Sequence, residues 1–167
     1  MRDIRNVLMK TDEELFFIIY GSQKACWNRL YYTLTCLGGT YFHVLLITLL
    51  AASPPTRAIG LKLGLVQAAV TAAVQGIKRM ASRVRPYDAY AEVVPLRTEK
   101  DFSFPSGHTA AAFSCAVTLS NMMTQIAVPI YALAILIAYS RIYLGTHYPS
   151  DVVAGGIIGM GLASMLI

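Results

Sequence analysis

Asp, Glu, Lys and Arg are absent from positions 40–56, 63–77, 109–139 and 152–167. A bilayer-crossing helix needs about 17–25 mostly apolar residues. Uncharged runs of this length, apolar on every side of a helix, do not suit a soluble surface helix. The pattern predicts an all-α integral membrane protein with about five transmembrane helices. The first runs from the Gly38-Gly39 interruption to about Ser53, where Pro54-Pro55 cannot continue the hydrogen-bond ladder. The second runs from about Ile59 to Lys78 and on towards Arg85, because a residue preceding a proline such as Pro86 is biased out of the helical region. The third starts near Ser106 and ends at about 121–125, the fourth spans about 126–143, and the fifth runs from Pro149-Ser150-Asp151 to Ile167. In that last helix Gly155 and Gly159 form a small-xxx-small pair suited to close packing in lipid.

Residues 2–29 read differently. Leu15-Phe16-Phe17-Ile18-Ile19-Tyr20 is too short to span and follows Asp12, Glu13 and Glu14, so it is expected to form an interfacial amphipathic helix. Trp27, Tyr31 and Tyr32 beside Arg29 match an aromatic belt at headgroup level. No apolar core directly follows a basic start, so no cleavable signal peptide is expected. The organisation is one membrane domain over 1–167, with an interfacial segment at 1–29 and a helical core at 30–167.

Composition sharpens this reading. Hydrophobic residues make up 56% of the 167 positions and charged residues 14%, against roughly 25% charged in soluble domains. The formal charge is +5, but its basic cluster at 78–85 adjoins membrane helices with few aromatics for base stacking, which argues against nucleic acid as a partner. Cys26, Cys36 and Cys115 have no metal-ligand spacing.

Five spans put 78–85, 105–108 and 141–151 on one membrane face, where all nine acids and most basic residues collect. Lys78 and Arg85, seven apart, lie on one side of a helix two turns apart. Pro105-Ser106-Gly107-His108 opens an uncharged helix, with Ser106 as a natural N-cap and the free backbone N–H groups as an anion site. Ser140-Arg141 is followed by His147 and, four residues on, by Asp151. Three cations, a helix N-terminus, two histidines and one carboxylate suit phosphoryl transfer, where positioning and charge stabilisation dominate. Asp151 is the one carboxylate in these clusters, whereas Mg²⁺ sites recruit several, so neither a metal nor another cofactor is expected.

The order Lys78…Arg85-Pro86, Pro105-Ser106-Gly107-His108 and Ser140-Arg141…His147…Asp151 resembles the type 2 phosphatidic acid phosphatase superfamily, which also includes vanadium haloperoxidases. Type and spacing match without departure, and the helix order matches over about 30–167. The resemblance implies that His147 attacks phosphorus and carries the phosphoryl group, that Asp151 holds its tautomer, and that His108 protonates the leaving oxygen and then activates water. Lys78, Arg85 and Arg141, with Ser106 and the Gly107 amide, would hold the phosphate oxygens. The substrate class implied is a lipid-linked phosphate or pyrophosphate, of polyprenyl pyrophosphate or phosphatidyl phosphate type. A lipid A or phosphatidylglycerophosphate phosphatase is the alternative within the family. The haloperoxidases are larger and soluble, unlike this chain.

From another class, a non-catalytic membrane binding protein or small transporter also carries intramembrane charges, but has no need of both histidines and the Asp partner. Arg79 and Arg83, at i and i+4 on another side of the helix, are expected to snorkel to headgroups. His43 is read as structural, Pro149 and Ser150 as a helix start, and Tyr143-Leu144-Gly145 as shaping the backbone before His147. The turn at 54–62 carries Arg57 and Lys62 and no acid, as a cytoplasmic turn would. Counting all Lys and Arg would instead put the catalytic face inside, though several of those belong to the site. The family resemblance implies a site on the extracytoplasmic face of a bacterial-type inner membrane. The oligomeric state has no signature in the sequence.

Overall fold

A computed structural model describes the backbone of residues 2–167 and the side chains of residues 6, 7 and 9–167. Among them the regular structure is all helical. The order is α1 (Arg2–Gly21), α2 (Ala25–Leu37), α3 (Thr40–Ala52), a 3₁₀ turn at Pro54–Thr56, α4 (Arg57–Ala81), α5 (Pro86–Ala89), α6 (Gly107–Met122), a 3₁₀ turn at Thr124–Ile126, α7 (Ala127–Tyr143) and α8 (Pro149–Leu166).

Three segments are long and apolar enough to cross a membrane: Pro54–Ala89, Thr124–Tyr143 and Pro149–Leu166. A fourth crossing requires α2 and α3 together, bent by 51° at their junction. The first span therefore differs from the single helix expected at 40–53. With only 13 residues, α3 reaches about 20 Å at 1.5 Å per residue, short of a hydrocarbon core of about 30 Å. A crossing here would have to include α2, whose start at Ala25 lies inside the segment expected to be interfacial.

The third expected span also differs. At 16 residues, α6 is about 24 Å long, and it sits at the centre of the bundle, packed against α4, α7 and α8. Its buried positions include Ala110, Ala112, Ser114, Ala116 and Thr118, small side chains that let three neighbours approach together. The glycine pair of α8 meets this helix as its spacing suggested. A Cβ at Gly155 would lie 2.5 Å from the Ser106 carbonyl oxygen, and Gly159 packs against the backbone of Ala110.

α4 ends earlier than its hydrophobic pattern suggests. Ser82 takes a left-handed conformation (φ 45°) and its N–H caps the Lys78 carbonyl at 2.9 Å. The chain then turns sharply, so Arg83 and Arg85 leave the helix instead of extending it.

At its other end α1 docks on the protein. Phe16 is fully buried among Val93, Ala138, Ile142, Tyr148 and Val152, stacked on Tyr20 with ring centroids 5.5 Å apart. Burying one Phe from water contributes about 1.5–3 kcal/mol. Leu15 and Ile18 remain exposed on the outer side.

Candidate functional site

The links α4–α5, α5–α6 and α7–α8 converge on one cavity of about 600 Å³. Lys78, Arg85, Asp101, Gly107, His108 and His147 line its polar end. It continues between α3 and α4 along Val44, Ile47, Gly64 and Val70. Ser106, Arg141 and Asp151 are fully buried behind that wall. All eight residues singled out in the sequence thus gather at one end of the bundle.

His147 sits in the α7–α8 link, 1% exposed. Gly145, at φ +78°, turns the chain just before it, a conformation strained for any side chain. The Thr146 hydroxyl and both the Thr146 and His147 amides donate to the Arg141 carbonyl. That fixes the ring between two partners. Arg85 Nη1 lies 3.2 Å from His147 Nε2. Arginine has donors only, so Nε2 presents its lone pair to the cavity end and the ring proton sits on Nδ1. Nδ1 faces Asp151 Oδ2 at 3.5 Å. Burial above all, and then the cations of Arg85, Arg141 and Lys78, hold the His147 imidazole well below its ordinary value, so it is neutral at pH 7.

Asp151 is saturated with donors. Its Oδ2 accepts from the Ser103 hydroxyl at 2.5 Å and the Tyr148 amide at 2.9 Å, and its Oδ1 accepts from Arg83 Nη1 at 2.7 Å. The Tyr148 contact joins Asp151 to the start of α8, where Pro149 occupies the first helical turn.

The cations differ in their partners. Arg85 Nη2 binds Asp101 Oδ1 at 2.5 Å and its Nε binds the Asp101 carbonyl at 2.7 Å. Lys78 Nζ binds Asp101 Oδ2 at 3.1 Å and also donates to the Phe102 carbonyl. Burial pushes the Asp101 carboxyl up, but Lys78 and Arg85 outweigh it and hold it below the usual carboxylate range. Arg141 donates to Glu99 Oε1 at 2.8 Å and to the Thr35 hydroxyl. Among the described residues, His108 Nε2 and Arg141 Nε are the buried side-chain nitrogens without a partner.

Several readings change here. Ser106 occupies the N-cap position of α6, but its side chain caps no backbone N–H. Its Oγ instead accepts from the Thr109 hydroxyl at 2.9 Å, and its amide donates to the Asp151 carbonyl at 2.9 Å. Arg83 does not snorkel. It bridges Asp151 and Asp12, because the break at Ser82 turns it inward. The segment 87–104, expected to be a solvated loop, folds over the site with Ser103 fully buried and Val93 3% exposed. His43 is buried in α3 with Nδ1 3.0 Å from the Gly39 carbonyl, as a structural histidine would be, yet it also lines the cavity. Asp12, Arg83, Glu99, Asp101 and Ser103 were not legible as site residues, since each meets its partner only through the folding of a distant segment. Among the described residues no cluster of three or more His, Cys, Asp or Glu is placed to hold a metal ion.

The comparisons agree with this geometry. Undecaprenyl-diphosphatase of Sulfolobus acidocaldarius is 32% identical over 92% of this chain and 76% of that relative. The crystal structure of the transmembrane PAP2-type phosphatidylglycerolphosphate phosphatase from Bacillus subtilis matches with a TM-score of 0.85 at 27% identity, covering 96% of this chain and 85% of that one. The crystal structure of Aquifex aeolicus LpxE gives a TM-score of 0.84 at 30% identity, covering 92% of each chain. A family model described as the PAP2 superfamily matches residues 59–167, a stretch holding every motif residue from Lys78 to Asp151, and this multi-pass membrane protein belongs to that superfamily.

Proposed function

We propose that this chain hydrolyses a lipid-linked phosphate or pyrophosphate at the extracytoplasmic face of the cell membrane, through a phosphohistidine on His147 and without a metal. The observation that carries this reading is the His147 ring, held between Arg85 at Nε2 and Asp151 at Nδ1 in a polar cavity end. That tautomer puts a lone pair, not a proton, on Nε2, which is freed for phosphorus when an incoming phosphate takes over the Arg85 donor, and gives Asp151 the proton to hold. The membrane spans and the PAP2 membership support a lipid as the phosphate carrier. The likeness to a polyprenyl diphosphatase over most of the chain favours polyprenyl pyrophosphate as the first substrate to try.

In the first step the Nε2 lone pair forms an N–P bond while the bond from phosphorus to the lipid oxygen breaks. Lys78, Arg85 and Arg141, with Ser106 and the Gly107 amide, hold the charge on the phosphoryl oxygens, and Asp151 stabilises the cationic ring. His108 gives its proton to the departing lipid oxygen. In the second step His108 takes a proton from water, the hydroxide attacks phosphorus, and the N–P electrons return to Nε2 as inorganic phosphate leaves.

The test is phosphate release from a panel of lipid phosphates and pyrophosphates by one purified preparation in detergent, with and without excess EDTA. The expected result is release from at least one lipid, undiminished by EDTA and abolished in His147→Gln. Release restored to EDTA-treated enzyme by Mg²⁺ alone would rule out the metal-free chemistry. Activity surviving in His147→Gln would rule out the phosphohistidine.

A further inference from the structure

Arg83 is a cation that the phosphate chemistry does not use, and it is only partly exposed. It lies in the link between α4 and α5, its guanidinium carbon 4.0 Å from the centroid of the Tyr148 ring. Nη1 donates to Asp151 Oδ1 at 2.7 Å and to Ser150 Oγ at 2.7 Å, and Nη2 donates to Asp12 Oδ2 at 2.8 Å. Asp12, on α1, closes the ring: its Oδ1 accepts from the Ser150 amide at 2.8 Å and its Oδ2 from the Ser150 hydroxyl at 2.5 Å. The side chains are 27% exposed for Arg83, 10% for Asp12 and 0% for Asp151.

We propose that Arg83 and Asp12 are positioning residues for the Asp151–His147 pair, so that the docked helix α1 helps to set the nucleophile. The proposal rests on the reading of His147 and Asp151 given above. A carboxylate turns easily about its last torsion, which has broad, twofold preferences. Arg83 pins Oδ1, and that leaves Oδ2 facing the His147 ring. A fully buried carboxylate also needs a counter-charge to stay ionised. Arg83 supplies it, but a cation bound to Asp151 alone would cancel the negative charge that the imidazolium and the phosphohistidine require. Asp12 shares the cation, and the three groups together keep one net negative charge beside His147. The planar fork reaches the two carboxylates from two separate nitrogens in fixed directions, where lysine offers one ammonium as a point charge.

A clamp that only joined α1 to α8 would show in stability and leave the chemistry alone. The distinguishing experiment measures kcat, KM and thermal unfolding of the full chain in detergent. It uses the lipid phosphate that the wild type hydrolyses, with Arg83→Gln, Arg83→Lys and Asp12→Asn made in both the wild-type and Asp151→Asn backgrounds. Partners that orient a reacting group through another residue typically cost about 10–100-fold when removed. Arg83→Gln should lower kcat by about that factor with KM within roughly twofold, Asp12→Asn should fall near the low end, and Arg83→Lys should restore part of the loss. In Asp151→Asn the same substitutions should cost less than about twofold, since residues acting through one group are non-additive. Folded Arg83→Gln or Asp12→Asn with wild-type kcat, or losses that multiply in full in Asp151→Asn, would overturn the proposal. If Arg83→Gln does not fold, the near-isosteric Asp12→Asn and its pair with Asp151→Asn decide by the same criteria. Wild-type turnover in Asp151→Asn would instead remove the underlying reading of the site.

Discussion

Asp101 holds Arg85 at 2.5 Å with one carboxylate oxygen while the other reaches Lys78 at 3.1 Å. Two of the three cations assigned to the substrate phosphate are thus bound to an anion from the chain itself, on a side chain 41% exposed at the cavity. A phosphate entering the site meets Asp101 as a competitor. Partly exposed ion pairs are worth about 0.2–1 kcal/mol, so Asp101→Asn should lower the inhibition constants of inorganic phosphate and vanadate by roughly 1.4- to fivefold. Inhibition assays of the two proteins side by side check this, and unchanged constants would mean that Asp101 only orders the cations.

His108 lines the cavity with a buried, unpartnered Nε2. A pyrophosphate expels a lipid monophosphate, which leaves with little protonation, whereas a monoester expels an alkoxide that depends on an acid. General acid catalysis is worth about 10²–10⁴-fold where fully needed. His108→Ala should therefore slow single-turnover phosphorylation of His147 far more with a monoester than with a pyrophosphate. Equal losses would leave His108 as a phosphate-binding group.

Gly155 packs on the loop that carries Ser106, where an added Cβ would approach the carbonyl oxygen to 2.5 Å. Over-packing of this kind costs about 1–3 kcal/mol. Gly155→Ala should lower the melting temperature and, by moving the start of α6, the turnover. Gly161→Ala, in the same helix with open space around it, should match or exceed wild-type stability.

His147 is held well below its ordinary value of 6.5 by burial and the surrounding cations. The unfolded chain takes up this proton first as the medium is acidified. The stability gained from keeping the ring neutral is therefore complete above pH 6.5 and declines as pH falls towards the folded value. Asp101 is also lowered, from 3.8, so its titration lies below this window and adds no slope there. Thermal melts from about pH 7.5 to about 5.5 should show the wild type losing stability, with a shallower loss in His147→Gln. Parallel slopes would mean that the folded ring titrates normally.

Much of the site was legible because its residues repeat at helical intervals or flank a helix start. Lys78 lies in the last turn of α4, His147 and Asp151 lie four residues apart across the start of α8, and Ser106-Gly107-His108 opens α6. Local backbone geometry fixes such spacings before any packing occurs. Arg85, by contrast, expected two turns along the same helix face as Lys78, reaches the site only through the break at Ser82. The uncharged stretches likewise foretold the helices, since lipid rewards apolar length alone. The bend between α2 and α3, the shortness of α6 and the inward turn of Arg83 were decided by packing. The contacts that complete the site join residues with no common period: Arg83 meets Asp12 across 71 positions, and Asp12 meets Ser150 across 138. Side chains that look like a solvated charge cluster, such as Glu99 and Asp101, differ from true surface acids only in which buried cation the fold brings beside them. That pairing is a property of the tertiary arrangement, because desolvating Arg85 and Arg141 creates the demand for an anion that nothing in their own sequence neighbourhood expresses.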